Sequence, residues 1–234
     1  MGIPYFTTCV YKFLAPQESH PNAVNLQGGS IVIDANSFKY DIYDRAMEGN
    51  RAANAYPNSS KSQLRHESFF NQLDEALRHL KNKCKDLVVV FDGVYGRAKH
   101  KRPDPKRRGT IRFDELQGRE NQLPSLFHFK FQNILRDLKI PILVARGEAD
   151  AMIAELANMR DAYVLAGDSD YHLYDLKKGY VPLRFLNRRE LQGLLYQRQD
   201  IFPSMDQDGV ALWESMIIYD FVDLEKLEVR VIFR

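Results

Sequence analysis

Cysteine is scarce in this chain. Cys9 and Cys84 are the two it has among 234 residues, far apart and outside any Cys-x-x-Cys spacing. That argues against a disulfide framework and a thiolate zinc site, and it points to a reducing compartment, cytosol or nucleus. Long apolar runs are missing too. No window approaches the ~18 consecutive apolar residues of a membrane span, and the first residues lack the basic-then-apolar layout of a signal peptide, so a soluble protein is expected. Met1-Gly2 would suit myristoylation only with Ser or Thr at position 6, where Phe6 stands. Nor is there an excess of one charge: 33 basic residues face 31 acidic ones for a formal charge of +2, so a polyanionic partner would have to be recognised through the placement of charge. A glycine-rich phosphate loop after the first buried strand is absent as well, because Asp34-Ala35-Asn36 takes its place. This argues against a Rossmann-type nucleotide binder.

What the chain does have is a 44% apolar fraction, enough for one compact domain. Three short apolar runs each end in an acid: Ser30-Ile31-Val32-Ile33-Asp34, Leu87-Val88-Val89-Val90-Phe91-Asp92 and Tyr163-Val164-Leu165-Ala166-Gly167-Asp168. Being rich in β-branched residues and not alternating with polar ones, they read as strands buried on both faces of a parallel sheet. A fourth run, Ile140 to Ala145, starts beside Pro141, which the beginning of a strand tolerates. Helical spacing of apolar residues covers Glu67 to Leu80 and Ala149 to Met159, and a third helix is expected from Leu126 to Leu138. Strands alternating with helices predict an α/β fold with a parallel sheet, whose ligands bind at the carboxyl ends of the strands. Residues 50–63 read as a polar loop. Residues 93–125, with several glycines and prolines among many charges, read as a long mobile insertion. The stretches Met216 to Phe221 and Leu227 to Phe233 fit either helix or strand.

The parallel sheet would bring Asp34, Asp92 and Asp168 to one edge. Glu148 and Asp150 follow the fourth run at the start of a helix, where the positive dipole end accepts acids, and point to the same edge. Asp168 and Asp170 can share a face if the backbone between them stays extended. Six carboxylates this close repel one another unless cations neutralise them. An all-oxygen donor set suits Mg²⁺ or Mn²⁺, and two such ions ~3.5 to 4 Å apart can clamp a phosphodiester. Each acid alone also fits a turn or a helix cap; the joint pattern of acids at strand ends is what singles them out.

In order along the chain, Met1-Gly2-Ile3, Ile33-Asp34-Ala35-Asn36, Val90-Phe91-Asp92-Gly93, Gly147-Glu148-Ala149-Asp150 and Asp168-Ser169-Asp170-Tyr171 resemble the flap endonuclease/XPG superfamily of PIN-like 5′ nucleases. The stretch from Tyr174 to Leu183 is most similar to the Asteroid branch. The resemblance implies a three-layer PIN-like domain over residues 1–187, with a basic arch-like insertion at 93–125 and a C-terminal extension at 188–234. It also implies a structure-selective hydrolase for the phosphodiester bonds of branched or single-stranded DNA, with RNA as an open possibility, and a role in DNA repair. Asp34, Asp92, Glu148 and Asp150 would surround one Mg²⁺ or Mn²⁺ ion, and Asp168 and Asp170 would hold a second. Gly2 would lie near the DNA entry. Tyr40 would stack on a base, against the alternative of a helix residue half buried beside Tyr43. Arg97, Lys99, His100, Lys101, Arg102, Lys106, Arg107 and Arg108 fall where the helical arch holds phosphates, with Lys99 and Lys106 nearest the scissile one; a solvated loop or import signal is the plainer reading.

The family's seventh acid, in a Gly-(Ser/Asn)-Asp motif, and its helix-hairpin-helix-type element are not visible. The residues around Asp220 and Asp223 do not match that motif. Either the second ion is held weakly, or the chain is a fragment of something longer. The competing expectation is a nuclease-like scaffold without catalysis that binds nucleic acid or protein.

Overall fold

The computed structural model describes residues 23–52, 60–93 and 127–201. In chain order these form β1 (Ala23–Asn25), β2 (Ser30–Asp34), α1 (Ala35–Ala52), α2 (Ser60–Lys83), β3 (Asp86–Phe91), α3 (Phe127–Asp137), β4 (Ile142–Val144), α4 (Asp150–Arg160), β5 (Tyr163–Ala166), β6 (Tyr180–Pro182), β7 (Gln192–Leu194) and the short α5 (Arg198–Ile201). Two 3₁₀ turns lie at Ser169–His172 and Leu183–Phe185. All four apolar runs became strands, and the three expected helices are α2, α4 and α3.

Five strands make one parallel sheet in the order β4-β3-β2-β5-β6. The chain builds outward from β2 through β3 to β4, then crosses back to set β5 on the free side of β2. That reversal puts the switch in strand order between β2 and β5, beyond whose carboxyl ends open α/β sheets bind ligands.

Because side chains alternate along a strand, each central strand feeds two cores. Ile31, Ile33, Leu87, Val89, Phe91 and Leu165 face α1, α2 and α3, whose Phe38, Ile42, Phe69, Leu73, Leu77 and Phe131 close that side. Val32, Val88, Val90, Val164 and Ala166 face the other way, against Ile153, Ala154 and Ala157 of α4 and the rings of Tyr171 and Tyr180. The result is the three-layer α/β arrangement expected from the sequence. On one side the Phe127, Phe131, Phe69 and Phe91 rings pack at tilted angles, with centroids 5.2–5.5 Å apart.

Of the polar loop expected at 50–63, residues 50–52 and 60–63 are helical, and 53–59 lie outside the described residues. Helix α1 runs to Ala52 and α2 starts at Ser60. The first turns of α2 are almost wholly polar and carry no apolar stripe, so periodicity could not reveal them. Apart from Gly93, the insertion 93–125 lies outside the described residues, as do the stretches from Met216 and from Leu227. Residues beyond 187 return to the body: β7 pairs antiparallel with β1, and Tyr196 exchanges two 2.8 Å backbone bonds with Tyr180 of β6. Asp41 on α1 holds this return in place, accepting from Arg188 and, at 3.1 Å, from Arg45.

Glycine matters most at Gly93. Its amide donates to the Gly147 carbonyl at 2.9 Å, and a Cβ built on it would lie 1.8 Å from the Ala145 carbonyl oxygen. The turn after β3 thus presses against the turn after β4 with no room for a side chain. Gly93→Ala is expected to cost about 1–3 kcal/mol or more in urea denaturation. Gly147→Ala, whose Cβ would meet nothing within 4 Å, should be close to neutral.

Candidate active site

Strand alternation decides where the acids go. Val32, Val90 and Ala166 belong to the core on the α4 side, and Asp34, Asp92 and Asp168 each follow one of them by two positions. They continue that row past the carboxyl ends of the neighbouring strands β3, β2 and β5.

Each of the three also bonds to backbone. Asp34, only 6% exposed, caps α1: its Oδ1 accepts from the amides of Asn36 (2.9 Å) and Ser37 (3.3 Å), and its Oδ2 from the Ser37 hydroxyl (2.5 Å). Asp92 Oδ1 accepts from the Ala149 amide at 2.9 Å, at the N-terminus of α4, while its Oδ2 accepts from the Asn36 side-chain amide. Asp168, 9% exposed, caps the 3₁₀ turn through the Asp170 amide at 3.2 Å. The capping reading of Asp34 and Asp168 is thus correct, and it does not exclude a site role, because each carboxylate oxygen has a second lone pair.

Asp150 is the first residue of α4, and its Oδ1 accepts from the Tyr171 hydroxyl at 3.0 Å. The ligand oxygens of Asp150, Asp168 and Asp170 lie within 4.8 Å of one another. Oxygens bound to one Mg²⁺ at 2.0–2.1 Å stand at most about 4.2 Å apart, so a small inward shift would suffice to share an ion. The backbone between Asp168 and Asp170 is not extended as expected; it coils into the 3₁₀ turn, and this coil brings the two carboxylates together.

Burial and mutual repulsion set the electrostatics of these acids. Burial, followed by the nearby Asp168, Asp34 and Asp170, pushes the Asp150 carboxyl up to about 6. Burial raises Asp34 as well, with Asp92 adding to it against the hydrogen bonds from Ser37 and Asn36. Burial and the same acids push the Tyr171 hydroxyl far upward, so it stays a donor. A hard divalent cation would relieve all of these shifts, and the donors are oxygen alone. Cys84, the described cysteine, is a free thiol remote from this edge in the fold.

The remaining expected residues are placed less centrally. Glu148 is exposed just ahead of α4, and the three-carboxylate group does not include it. Tyr40 is 51% exposed on α1 with the Lys39 ammonium 4.9 Å from its ring centroid, unlike Tyr43, which is buried. Gly2, Arg97, Lys99, His100, Lys101, Arg102, Lys106, Arg107 and Arg108 lie outside the described residues.

Sequence reasoning missed Asn36, Lys39 and Tyr171. Lys39 is 7% exposed and donates to Asn36 Oδ1 at 2.6 Å. A signal existed: Asn36 and Lys39 sit three apart immediately after a strand-end acid, on one helical face. Tyr171 directly follows Asp170, but only the fold shows that its hydroxyl reaches Asp150.

These shifts fix a pH dependence. Asp150 and Asp34 hold their protons more tightly when folded than in the unfolded chain, where an aspartate titrates near 3.8. Stability of the metal-free protein should therefore be greatest below pH 4 as far as these two groups decide it, and should fall as pH rises towards about 6. Thermal melts of Asp150→Asn against wild type check this. Without metal the variant should melt higher than wild type at pH 7.5 and show no such advantage near pH 4; millimolar Mg²⁺ should stabilise only the wild type.

With the geometry in place, the relatives can be compared. A family model described as "XPG domain containing" matches residues 110–208. The "Single-strand DNA endonuclease ASTE1" of Danio rerio is 33% identical over 81 residues, 34% of this chain and 12% of that protein. "Asteroid homolog 1" of Schizosaccharomyces pombe is 32% identical over 113 residues, 45% of this chain and 20% of that one. The matches therefore span a fifth or less of the relatives' lengths. Among solved structures, the catalytic core of Rad2 in complex with DNA substrate aligns with TM-score 0.56 at 17% identity, covering 92% of this chain and 61% of that one. The Holliday junction-resolving enzyme GEN1, with product DNA and Mg²⁺, aligns with TM-score 0.50 at 13% identity, covering 87% and 42%. At these identities the structural likeness concerns the fold. Residues 110–208 are thus similar to an XPG domain, shorter stretches are similar to two Asteroid-named proteins, and the fold as a whole is like that of the Rad2 catalytic core.

Proposed function

We propose that this chain is a divalent-metal-dependent, structure-selective nuclease that hydrolyses DNA phosphodiesters at the carboxyl edge of its sheet. The observation that carries this reading is the convergence of Asp150, Asp168 and Asp170 within 4.8 Å, beside the buried Asp34 and its neighbour Asp92. A scaffold gains nothing from carboxylates held this close, because their repulsion costs stability. The named activity of the Danio rerio relative on single-stranded DNA, and the DNA in the Rad2 and GEN1 structures, support the choice of substrate.

In this mechanism Asp150, Asp168 and Asp170 would hold one Mg²⁺ or Mn²⁺ ion, and Asp34, Asp92 and Glu148 would hold the other. This division differs from the one implied by the family resemblance, where Asp150 sits with Asp34, Asp92 and Glu148. When bound, the pair of ions supplies an activated water and stabilises the leaving oxygen. The chain's own part is positional. Backbone amides of Asn36, Ser37, Ala149 and Asp170 fix the carboxylates, and the Tyr171 hydroxyl orients Asp150. The exposed ring of Tyr40 stacks on an unpaired base, an interaction worth about 1–3 kcal/mol. The basic residues from Arg97 to Arg108 hold phosphates without reading sequence.

Purified protein with Mn²⁺ or Mg²⁺ is expected to cleave single-stranded or branched DNA, with RNA of matching structure as a parallel substrate. Asp168→Asn and Asp92→Ala should bring cleavage below detection while thermal melts confirm folding, and Tyr40→Ala should raise KM more than it lowers kcat. Wild-type protein that binds these substrates but leaves them intact with every metal would establish the scaffold instead.

A further inference from the structure

The 3₁₀ turn after β5 supplies more than two of the acids. Asp168 caps it, Asp170 lies within it, and Tyr171, the next residue, brings its hydroxyl to 3.0 Å from Oδ1 of Asp150, 21 residues earlier at the start of α4. An ionised carboxylate only accepts, so the phenol is the donor. Tyr171 is 1% exposed. Its ring packs with those of Tyr174 and Tyr180, centroids 5.9 and 5.6 Å away, inside the core that also holds Ile153 and Ala154 of α4. A ring seated in a close-packed core does not follow a carboxyl that turns. The hydroxyl is therefore a fixed point against which Asp150 is held.

Distance alone does not choose an ion for this group. Oxygens on opposite sides of Mg²⁺ stand about 4.2 Å apart, and those on opposite sides of Ca²⁺ about 4.6–5.2 Å. The oxygens of Asp150, Asp168 and Asp170 lie within 4.8 Å of one another, a spacing that already suits the larger ion. What separates the two ions is how they use a carboxylate. Ca²⁺ collects about 6–8 oxygens and often takes both from one carboxylate, whereas Mg²⁺ keeps a near-octahedral shell of about six with several waters in it. Chelation by Asp150 would put Oδ1 on the ion, where the cation and the hydroxyl hydrogen, both positive, meet at one oxygen. Binding through Oδ2 alone leaves the hydrogen bond intact. Partners of ligating carboxylates tune metal affinity in this way.

We propose that Tyr171 determines which metal the site prefers: by holding Oδ1 it limits Asp150 to one ligand oxygen and so sets Ca²⁺ at a disadvantage to Mg²⁺. The inference rests on the metal-dependent reading of the site and adds to it the choice of ion. Tyr171 acts on the ion only through Asp150, which makes it a positioning residue. A tyrosine that merely tied the turn to α4 would, on losing its hydroxyl, change the hold on both ions by the same factor.

Displacement of Mn²⁺ from the full chain, read from the paramagnetic resonance of free Mn²⁺, gives the affinity of each competing ion. Tyr171→Phe keeps the ring and removes the hydroxyl. It should tighten Ca²⁺ about tenfold and leave Mg²⁺ within about twofold of wild type. A shift of both ions by the same factor, or of neither, would overturn the proposal. If Tyr171→Phe does not fold, crystals of the wild type grown with Mg²⁺ answer the same question. Asp150 should meet the ion through Oδ2 alone, with Oδ1 still on the hydroxyl; an Asp150 bound through both oxygens overturns the proposal equally. Asp168→Asn distinguishes this failure from a wider one. If it removes Mn²⁺ binding, the metal reading stands whatever Tyr171 does; if the wild type binds no Mn²⁺, that reading falls and takes this proposal with it.

Discussion

Everything at the sheet edge depends on how mutually repelling carboxylates are kept side by side. The fold does this with backbone amides. Asp34 is tied to the first turn of α1, Asp92 to the first turn of α4 and Asp168 to its own 3₁₀ turn. These amides belong to helix ends that need acceptors in any case. The same bonds that satisfy the backbone therefore hold negative charge in register, and α1 can start nowhere else without losing its cap. The packing of Gly93 against Ala145 has a related effect, because it brings Asp92 within reach of the α4 amides.

Most of the architecture was legible in the sequence because strands buried on both faces leave a strong trace. Uninterrupted β-branched runs ending in aspartate located β2, β3 and β5 within a residue or two, and the alternation along them decides that the three acids project together. The helices α3 and α4 were equally plain. The first turns of α2 were not, being polar and held by continuity with a buried second half. The approach of β7 to β1 was hidden for another reason: three-residue strands carry too few residues for any period to register.

At the site, residue types were easier to read than relations between them. Carboxylates stand out in a sequence, so all six acids could be named, but their grouping depends on a turn whose conformation the sequence did not disclose. An extended Asp168-Ser169-Asp170 would have kept the pair on one face but about 6–7 Å apart along the chain; with the 3₁₀ turn, ligand oxygens of Asp168, Asp170 and Asp150 lie within 4.8 Å of one another. Asn36, Lys39 and Tyr171 were overlooked because each acts through one partner distant in sequence or through a neighbouring side chain. Amide, ammonium and phenol groups of this kind are common on any surface, and only their burial marks them out.

The strand order has a consequence for how such a site comes into being. Asp34 and Asp92 belong to the half of the sheet made of β2, β3 and β4, while Asp168 and Asp170 follow β5, which docks on β2 from far along the chain. Each half carries only part of the negative charge. Crowding begins when β5 pairs with β2, the least local step of sheet formation and one that loop-closure entropy already delays. A chain emerging from the ribosome can thus form its first three parallel strands before the full electrostatic penalty exists, and that penalty falls on a sheet already able to bear it.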